Sequence, residues 1–342
     1  MTEMNNTELI PLLGMTLAEL SEVALATGMP KFAAKQMAEW IYQKRVKRID
    51  EMTNISMKKR EQLSASYCVG TSEPIKVQTS VDGTKKYLFH THAGAIETVM
   101  IPDRERMTLC VSSQVGCKMN CLFCATGKLG FHGHMTPCEI LNQIFSVEEA
   151  DQLTSFVFMG MGEPMDNLDA VLKATSIMTA PWGLAMSPRR ITVSTIGMLA
   201  AVRRFVGESE CHLAISLHAT THEQRLRLMP IEKASPFADI VDELRLADWA
   251  HQRRLTFEYI MFHDQNDSDE DAGRIARLLK GLYCRVNLIS FHSIEEVDLR
   301  GSSPDRMLHF RDKLNSLGVI ATVRASRGED IFAACGLLAA KS

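Results

Sequence analysis

The amino-acid sequence predicts an α/β protein whose main domain contains a parallel β-sheet, open or barrel-like. Three observations lead to this prediction. Short apolar runs alternate with amphipathic helical segments from about residue 107 onward, residues 16–67 have a helical periodicity, and residues 75–101 have the composition of strands. Alternating strands and helices are typical of parallel sheets with right-handed crossovers, because each helix returns the chain to the same edge of the sheet.

The N-terminal region has the pattern of a small all-helical domain. Four apolar residues recur at i, i+4, i+7 and i+8, the spacing of one helix face: Ala33, Met37, Trp40 and Ile41. Pro30 lies where such a helix could begin, and residues 49–66 fit one or two further short helices. We therefore expect a helical domain over residues 1–72.

Residues 73–106 are predicted to form a β extension between the helical domain and the main domain. Asp82-Gly83 is a strong hairpin signal, and it separates the strand-like segments 75–79 and 86–90. Residues 95–101 alternate in polarity as another strand. The extension should therefore contain a hairpin and a third strand.

The main domain is predicted to cover residues 107–342. Seven apolar runs are its candidate strands: 107–111, 154–159, 191–195, 211–217, 255–261, 284–289 and 319–323. Thr136-Pro-Cys-Glu139 is a capping box with proline at the first helical position, and residues 239–249 and 271–279 are further helices. In barrels of parallel strands, chemistry collects at the carboxyl ends of the strands.

Composition and charge exclude several classes of protein. The chain has 342 residues, 46% apolar content and a net charge of −3, which is ordinary for a globular protein of about two domains. No stretch approaches the ~18 apolar residues of a membrane span. The polar, acidic segment 1–8 does not resemble a signal peptide. We expect a reducing cytoplasm, where nine cysteines indicate metal or redox chemistry.

One segment has a strong local charge. Residues 31–60 contain nine Lys or Arg against three acids. A surplus of six positive charges could contact the phosphates of a nucleic acid. The alternative is a solvated basic helix face, which charge runs more often form.

Cys117, Cys121 and Cys124 form a C-x3-C-x2-C motif, the strongest functional signal in the chain. A cubane iron–sulfur cluster normally takes four cysteine ligands. Three ligands would leave one iron open to a small molecule with amino and carboxylate groups. That arrangement is used to split S-adenosylmethionine (SAM) into a radical.

Other interpretations of the three cysteines are open at this point. Zinc could take them with His132 or His134, although zinc sites usually show two C-x2-C pairs. A disulfide framework is disfavoured in a long chain without a signal sequence. Inert buried cysteines are common, but not three within eight positions.

Polar groups follow the predicted strands after the cysteine loop. Gly162 and Glu163 follow the second strand in Met-Gly-Met-Gly-Glu-Pro, Ser194 ends the third, and Ser216-Leu217-His218 ends the fourth. Each alone would be an ordinary strand end, but together they predict one ligand pocket. Of two further cysteines, Cys110 lies at the end of the first strand and Cys335 follows the last strand; a lone cysteine is usually a buried apolar residue.

These motifs together resemble the RlmN/Cfr family of radical-SAM RNA methyltransferases. The resemblance rests on the cysteine triad, Met-Gly-Met-Gly-Glu-Pro, Ser-Leu-His and the ending Arg-Gly-Glu-Asp-Ile-Phe-Ala-Ala-Cys-Gly. It covers nearly the whole chain and implies a partial (β/α)6 radical-SAM barrel with an RNA-binding helical accessory domain. The implied substrate is adenosine 2503 of 23S rRNA, methylated on carbon 2 by RlmN-type members, which often also modify adenosine 37 of tRNAs. Neither carbon 2 nor carbon 8, the Cfr target, is nucleophilic enough for ordinary methyl transfer, so a cofactor must supply the difficult step.

The resemblance also implies a role for each matching residue. Cys117, Cys121 and Cys124 would hold a [4Fe–4S] cluster. SAM would contact six residues: Gly162, Glu163, Ser194, Ser216, Leu217 and His218. Cys335 would accept a methyl group from a first SAM, and a second SAM would generate the radical that activates it. Glu97 would remove the ring proton, and Cys110 would attack the Cys335 sulfur, releasing the product and leaving a disulfide.

Two positions depart from the family pattern. His292 replaces the Asn that commonly contacts SAM, and Leu337 replaces a common Gln. The implied partners are 23S rRNA, tRNA and an electron donor such as flavodoxin, for a cytoplasmic monomer without membrane contact. The alternatives are a carbon-8 enzyme, a radical-SAM enzyme for proteins or small molecules, and a non-catalytic zinc-bound RNA-binding protein.

Overall fold

A ten-stranded mixed sheet dominates the computed structural model, which describes residues 9–249, 253–294 and 297–340. The predicted acidic segment 1–8 lies outside the described residues. The strands are β1 (Ile10–Pro11), β2 (Tyr67–Cys68), β3 (Lys76–Thr79), β4 (Lys85–Thr91), β5 (Gly94–Asp103), β6 (Arg106–Cys110), β7 (Gln114–Gly116), β8 (Phe131–His134), β9 (Ser155–Phe158), β10 (Ile191–Thr195), β11 (His212–Ser216), β12 (Leu255–Met261), β13 (Cys284–Ser290) and β14 (Ile320–Val323).

Eleven α-helices occur in the described ranges. They are α1 (Leu17–Ala26), α2 (Ala33–Ala38), α3 (Met57–Ser64), α4 (Ala125–Lys128), α5 (Pro137–Phe145), α6 (Leu168–Thr179), α7 (Leu199–Glu208), α8 (His222–Leu228), α9 (Phe237–Leu246), α10 (Asp269–Leu278) and α11 (Pro304–Ser316). None of the helices in these ranges combines the length and apolar character needed to cross a bilayer.

The parallel part of the sheet confirms the predicted α/β architecture. Its strands are ordered β6-β9-β10-β11-β12-β13-β14, each parallel to its neighbours. All seven predicted apolar runs form these strands, and helices follow the first six. This gives six strand–helix units and a closing strand, in agreement with the predicted partial barrel. Helix α5 begins at Pro137, and the predicted capping box is present at Thr136 and Glu139.

Strands β3, β4 and β5 continue the same sheet in antiparallel fashion. The hairpin predicted at Asp82-Gly83 joins β3 to β4, and Gly83 has a φ of +84°, which explains the need for glycine there. Strand β5 pairs with β6, with Val99 opposite Cys110. The β extension is therefore hydrogen-bonded directly to the first strand of the barrel.

The N-terminal helices pack on the outside of the barrel. Ala33, Met37 and Ile41 are buried as their periodicity predicts, but the helix begins at Ala33 because residues 30–33 form a turn. Tyr42 packs edge-on against Phe145 of α5, with ring centroids 6.3 Å apart. The helical region thus shares one continuous apolar core with the barrel.

Two of the six surplus positive charges in residues 31–60 are paired with acids outside the segment, Asp151 and Glu73. Arg45 contacts Asp151 at 3.0 Å, and Lys44 contacts Glu39 at 2.9 Å. Other members of the segment contact nearby acids or carbonyl oxygens: Lys47, Arg48, Lys59 and Arg60. The net charge offered to a partner is therefore smaller than the sequence count suggests.

Candidate active site

The cysteine motif lies on a loop at the carboxyl end of the parallel strands. The loop follows the β6–β7 segment, and Cys124 is the N-cap of the short helix α4. Cys117 N donates to Gly130 O at 2.8 Å, and Leu122 N donates to Leu228 O at 2.9 Å. These bonds hold the loop against α8 on one side and β8 on the other, which fixes where the three thiols point.

A second, smaller apolar cluster surrounds these thiols. It includes Met119, Phe123, Met229 and Phe262, and all three motif cysteines pack against it. Burial raises the pKa of Cys117 to about 12, and it raises the pKa of Cys121 and Cys124 as well. The free thiols are therefore protonated at neutral pH, so a metal centre would displace their protons on binding.

The three thiols line one cavity of about 150 Å³, which reaches from the cysteine loop to the ends of β9, β10 and β11. Within the described ranges, no three His, Cys, Asp or Glu side chains converge on a position for a single metal ion. His132 and His134, the fourth ligands that a zinc site would need, are not among the residues that line this cavity. A set of three thiols beside a ligand cavity fits the donor chemistry of an iron–sulfur cluster with one open iron.

Cys335 lies beside the cysteine loop although it is far away in sequence. Ala125 N donates to Gly336 O at 2.8 Å, and Thr126 Oγ1 donates to Leu338 O at 2.6 Å. Cys335 lines both the small cavity and an adjoining cavity of about 630 Å³. It is therefore positioned between the proposed cluster and a space large enough for a nucleotide-sized ligand.

Cys110 lines the larger cavity together with Cys335. It ends β6, is only 8% exposed, and burial raises its pKa to about 12, with a smaller contribution from Cys335. Both cysteines are free thiols. The fold thus brings together the two cysteines that the resemblance implied, one from the first barrel strand and one from the C-terminal segment.

The β extension anchors the segment that carries Cys335. The Asp82 carboxylate accepts from Gly328 N at 3.0 Å, and Asp330 accepts from Ser80 Oγ at 2.5 Å. On the other side of Cys335, Glu97 Oε2 accepts from Ala339 N at 2.9 Å and from Ala340 N at 3.1 Å. Residues 328–340 are thereby held at both ends by β3–β5 and their turns.

Glu97 is buried in this arrangement rather than exposed to the cavities. Its Oε1 lies 2.9 Å from Lys86 Nζ, and both side chains are less than a tenth exposed. Neither cavity has Glu97 among its lining residues. The Glu97 carboxylate therefore cannot reach the larger cavity, where its predicted role as a base would be needed, while it accepts hydrogen bonds from Ala339 N and Ala340 N.

Two glycines of the Gly-Met-Gly-Glu turn pack closely against a neighbouring segment. A Cβ on Gly162 would lie 2.5 Å from Gln114 Cβ, and one on Gly160 would lie 2.6 Å from Ser112 Oγ. The glycines are therefore required by the neighbouring segment 112–114. Their backbone still lines the small cavity.

Glu163 also bonds within the fold. Its carboxylate accepts from Met165 N and from Ile196 N, both at 2.9 Å, which ties the turn after β9 to the end of β10. Burial raises its pKa to about 7 in spite of these hydrogen bonds. The contact with SAM that the resemblance implies for Glu163 would use the remaining lone pairs of its carboxylate on the side of the small cavity.

The other predicted SAM-contacting residues differ in accessibility. Ser194, Ser216 and His218 line the small cavity, whereas the Leu217 side chain is fully buried in the core. Burial, with a smaller effect of Arg225, lowers the pKa of His218 to about 3, so its ring is neutral. His218 Nδ1 accepts from Ile260 N at 3.0 Å, which places the proton on Nε2.

His292 lies apart from this group. It lines the larger cavity, and its Nε2 is 2.6 Å from Ser326 Oγ on the segment before Cys335. The small cavity does not have His292 among its lining residues. The structure thus groups His292 with the C-terminal segment.

Three charged residues at the site were missed by the sequence reasoning. Arg225 is fully buried, pairs with Glu232, and donates to Ile196 O at 2.6 Å and to Ser216 O at 3.2 Å. It therefore fixes the strand ends that border the small cavity. In the sequence, Arg225 is simply an arginine among the apolar positions of α8, a pattern too common to predict a functional role.

Glu258 and Arg324 line both cavities. Glu258 is 4% exposed, and its Oε1 accepts from Asn287 Nδ2 at 2.8 Å. Its Oε2 has no hydrogen-bond partner among the described residues. Such an orphaned acceptor is costly unless a ligand donor reaches it, so the wall between the cavities fits a ligand with hydroxyl or amino groups, as SAM has.

Comparison with known proteins agrees with this geometry. Residues 10–69 match the model of the ribosomal RNA large subunit methyltransferase N-terminal domain, and residues 111–276 match that of the radical SAM superfamily. The chain is 56% identical over 328 residues to a probable dual-specificity RNA methyltransferase RlmN from Phocaeicola vulgatus, covering 96% of this chain and 94% of that protein.

Two further proteins extend the comparison. The dual-specificity RNA methyltransferase RlmN of Syntrophotalea carbinolica is 40% identical over 334 residues, covering 97% of this chain and 90% of the other. The crystal structure of a radical SAM methyltransferase from Sphaerobacter thermophilus superimposes with a TM-score of 0.91 at 38% identity, covering 97% of this chain and all of that one. The likeness therefore extends over both the helical region and the barrel.

Proposed function

The chain belongs to the RlmN family of radical SAM RNA methyltransferases, and from this premise we propose that it methylates carbon 2 of adenosine 2503 in 23S rRNA and of adenosine 37 in tRNA. The observation that carries the proposal is the meeting of Cys110 and Cys335 in one cavity beside the three-cysteine loop. Neither methylation by direct displacement nor a purely structural metal site requires two additional thiols at that place.

The family uses a [4Fe–4S] cluster and two SAM molecules per turnover. We propose that Cys117, Cys121 and Cys124 hold the cluster, which supplies a 5′-deoxyadenosyl radical when SAM is bound. Gly162, Glu163 and the serines and histidine of the small cavity would orient SAM. Leu217 would contact SAM only through its backbone, because its side chain is buried. His292 would contact SAM only from the larger cavity.

Cys335 and Cys110 would act in sequence on the methyl carbon. The Cys335 sulfur would accept the methyl group, whose carbon would then lose one hydrogen atom to the 5′-deoxyadenosyl radical and bond to the adenine ring. The ring would give up its proton to a base and one electron to the cluster, so that the linked species is no longer a radical. The Cys110 thiolate then attacks the Cys335 sulfur, so an S–S bond forms while the S–C bond breaks, and its electron pair stays with the carbon, which takes up a proton. A two-electron reductant must then reduce the disulfide.

Glu97 is proposed as the base that removes the ring proton, but only after its hydrogen bonds to the C-terminal segment have broken. Its Oε2 accepts from Ala339 N and Ala340 N, so these amides must move before the carboxylate can reach a substrate. Proton removal would then be coupled to a shift of the segment that carries Cys335.

The test is nucleoside mass spectrometry of rRNA and tRNA after incubation with the anaerobically reconstituted protein. The RNA comes from a host that lacks its own enzyme. We expect 2-methyladenosine in both RNAs. Finding 8-methyladenosine instead would assign the Cfr-type reaction, and absence of both products with an intact cluster would overturn the proposal.

Partners and organisation complete the proposal. We propose a cytoplasmic monomer that receives electrons from a donor such as flavodoxin, since the residues of the site come from one chain and the site needs reduced thiols. Residues 1–72 would form the RNA-binding accessory domain, 73–106 the β extension, and 107–342 the barrel. Because β5 pairs directly with β6, no gap in the sheet separates the β extension from the barrel. The boundary at residue 106 marks only the change from antiparallel to parallel strands.

A further inference from the structure

The amino-terminal end of the barrel carries a group of exposed arginines. They lie at the starts of the parallel strands, and all of them line the larger cavity: Arg106, Arg189, Arg190, Arg254 and Arg285. We call these five residues the mouth arginines. The same cavity reaches Cys110 and Cys335 at the other end of the strands, so the mouth opens onto the site of the proposed chemistry.

The mouth arginines differ from the N-terminal basic segment because few of them are neutralised. Arg106 lies 3.0 Å from Asp103, and Arg190 Nη1 donates to Thr154 O at 3.2 Å. For Arg189, Arg254 and Arg285, the described residues provide no carboxylate within ion-pair distance. The mouth therefore keeps a net positive charge that is available to bind an external anion.

A buried histidine at the mouth adds no charge to that of the arginines. His212 is 7% exposed, lines the cavity, and accepts from Arg254 N through its Nδ1 at 2.9 Å. Burial, together with smaller effects of the charges of Arg254, Arg253 and Arg189, lowers its pKa to about 4. His212 is therefore neutral, and the charge of the mouth belongs to the guanidinium groups.

The dimensions of the mouth suit a polyanion. The mouth arginines extend from β6 to β13, which are five strand spacings apart, or about 24 Å along the sheet. From Arg254 at the mouth to Glu258 at the cavity junction is four residues of one strand, about 13 Å. A single phosphate ion would engage only a small part of this surface.

We propose that the mouth arginines bind the RNA backbone on either side of the target nucleotide, while the target base reaches through the larger cavity to Cys335. This inference rests on the proposed function. Enzymes that modify a base extrude it from its stack, and one cavity that runs from the mouth arginines to Cys335 would admit an extruded base while the flanking phosphates stay at the entrance. Guanidinium groups bind phosphate through paired hydrogen bonds, which fits this position.

The test compares Arg254→Gln/Arg285→Gln with the wild-type protein and with Arg277→Gln. Arg277 is exposed on α10 and lines neither cavity. Each protein is reconstituted with its cluster, and binding of a labelled, unmodified 23S rRNA fragment is measured by anisotropy from low to high salt. Methylation of Cys335 by SAM, without RNA, is measured by mass spectrometry on the same samples.

We expect the double variant to lose two phosphate contacts. The slope of log K against log salt should become less negative by about 1.4, and affinity at ~0.1 M salt should fall about 25-fold, since each single-strand phosphate contact contributes about 0.7. Methylation of Cys335 should be unchanged, and Arg277→Gln should behave as wild type.

Three results would be read differently. Unchanged RNA affinity and salt slope in the double variant would overturn the inference and leave the proposed function standing. The same result with slower cluster reduction by flavodoxin, but normal reduction by dithionite, would assign the mouth to a protein electron donor. Weakened RNA binding in a protein whose wild type forms no methyladenosine would support the mouth as an RNA surface and overturn the proposed function.

Discussion

The two ends of the parallel strands differ in almost every physical property. At the carboxyl end, thiols and carboxylates are buried among apolar side chains, and burial raises the pKa of Cys110, Cys117 and Glu163. At the amino end, exposed guanidinium groups keep their charge. This difference fits the two proposals, in which the carboxyl end carries out chemistry away from water and the amino end binds a charged partner. Variants at the carboxyl end should therefore affect reaction steps and leave RNA affinity intact.

The largest expected effect is at Cys335. Replacing it with Ala removes the proposed methyl acceptor, so 2-methyladenosine formation should be abolished. The [4Fe–4S] absorbance and RNA affinity should stay within about twofold of wild type, because the mouth arginines are untouched. Cys284→Ala is the matched control, since Cys284 is half-buried on β13 and lines neither cavity. Weakened RNA binding in Cys335→Ala would break the separation of the two ends.

Cys110→Ala should stop the reaction one step later. Without a thiol to attack the Cys335 sulfur, the linked product cannot leave, so one equivalent of RNA should stay covalently bound. A denaturing gel should show a protein–RNA band that appears in Cys110→Ala and is absent from Cys110→Ala/Cys335→Ala. If the single variant turns over freely, Cys110 is not the resolving thiol.

Lys86→Met tests the stability of the antiparallel strands, which belong to neither end of the parallel strands. The change leaves the buried Glu97 carboxylate without its cation, so the free energy of unfolding should fall by about 3–5 kcal/mol. Urea unfolding measures this, and Lys76→Met, at an exposed position on β3, should change it by less than about 0.5 kcal/mol. If Lys86→Arg keeps the wild-type free energy of unfolding, the positive charge at position 86 is what matters. If Lys76→Met loses as much stability as Lys86→Met, the loss does not come from the pair with Glu97.

Glu163→Gln should have the smallest effect, and one that depends on pH. Burial raises the pKa of Glu163 from 4.5 to about 7, so the folded state holds a proton that the unfolded state releases. The wild type should therefore lose stability as pH rises from about 4.5 to about 7, whereas Gln cannot titrate. The stability advantage of wild type over Glu163→Gln should shrink by about 3 kcal/mol between these limits. Urea unfolding of the cluster-free protein at pH 5 and pH 8 measures it, and a constant difference would show that Glu163 keeps its ordinary pKa.

Strands and strand-end motifs were predictable because they depend on local patterns. The seven apolar runs, the Asp82-Gly83 hairpin and the capping box at Thr136 follow from periodicity and turn chemistry. Burial and pairing between distant segments were not predictable in this way. The need for Gly162 comes from Gln114, and the burial of Glu97 depends on Lys86 and the C-terminal segment.

The mouth arginines show the same limit more clearly. They are scattered over nearly 180 positions and form one surface only because parallel strands align their starts. The basic segment 31–60 was visible in the sequence because its charges are contiguous, but its pairing with Asp151 and Glu73 was not. Charge clusters in a sequence therefore overstate local surfaces and miss those that a sheet assembles.

The continuous sheet limits how this protein can be divided. A fragment that starts at residue 107 would contain the whole three-cysteine loop and Cys335, yet β6 would lose its partner β5. The unpaired edge would expose backbone donors and acceptors next to Cys110, a surface that invites pairing between copies. Expression of the barrel alone should therefore give aggregates, and insertions meant to separate the regions should not be placed at the β5–β6 turn.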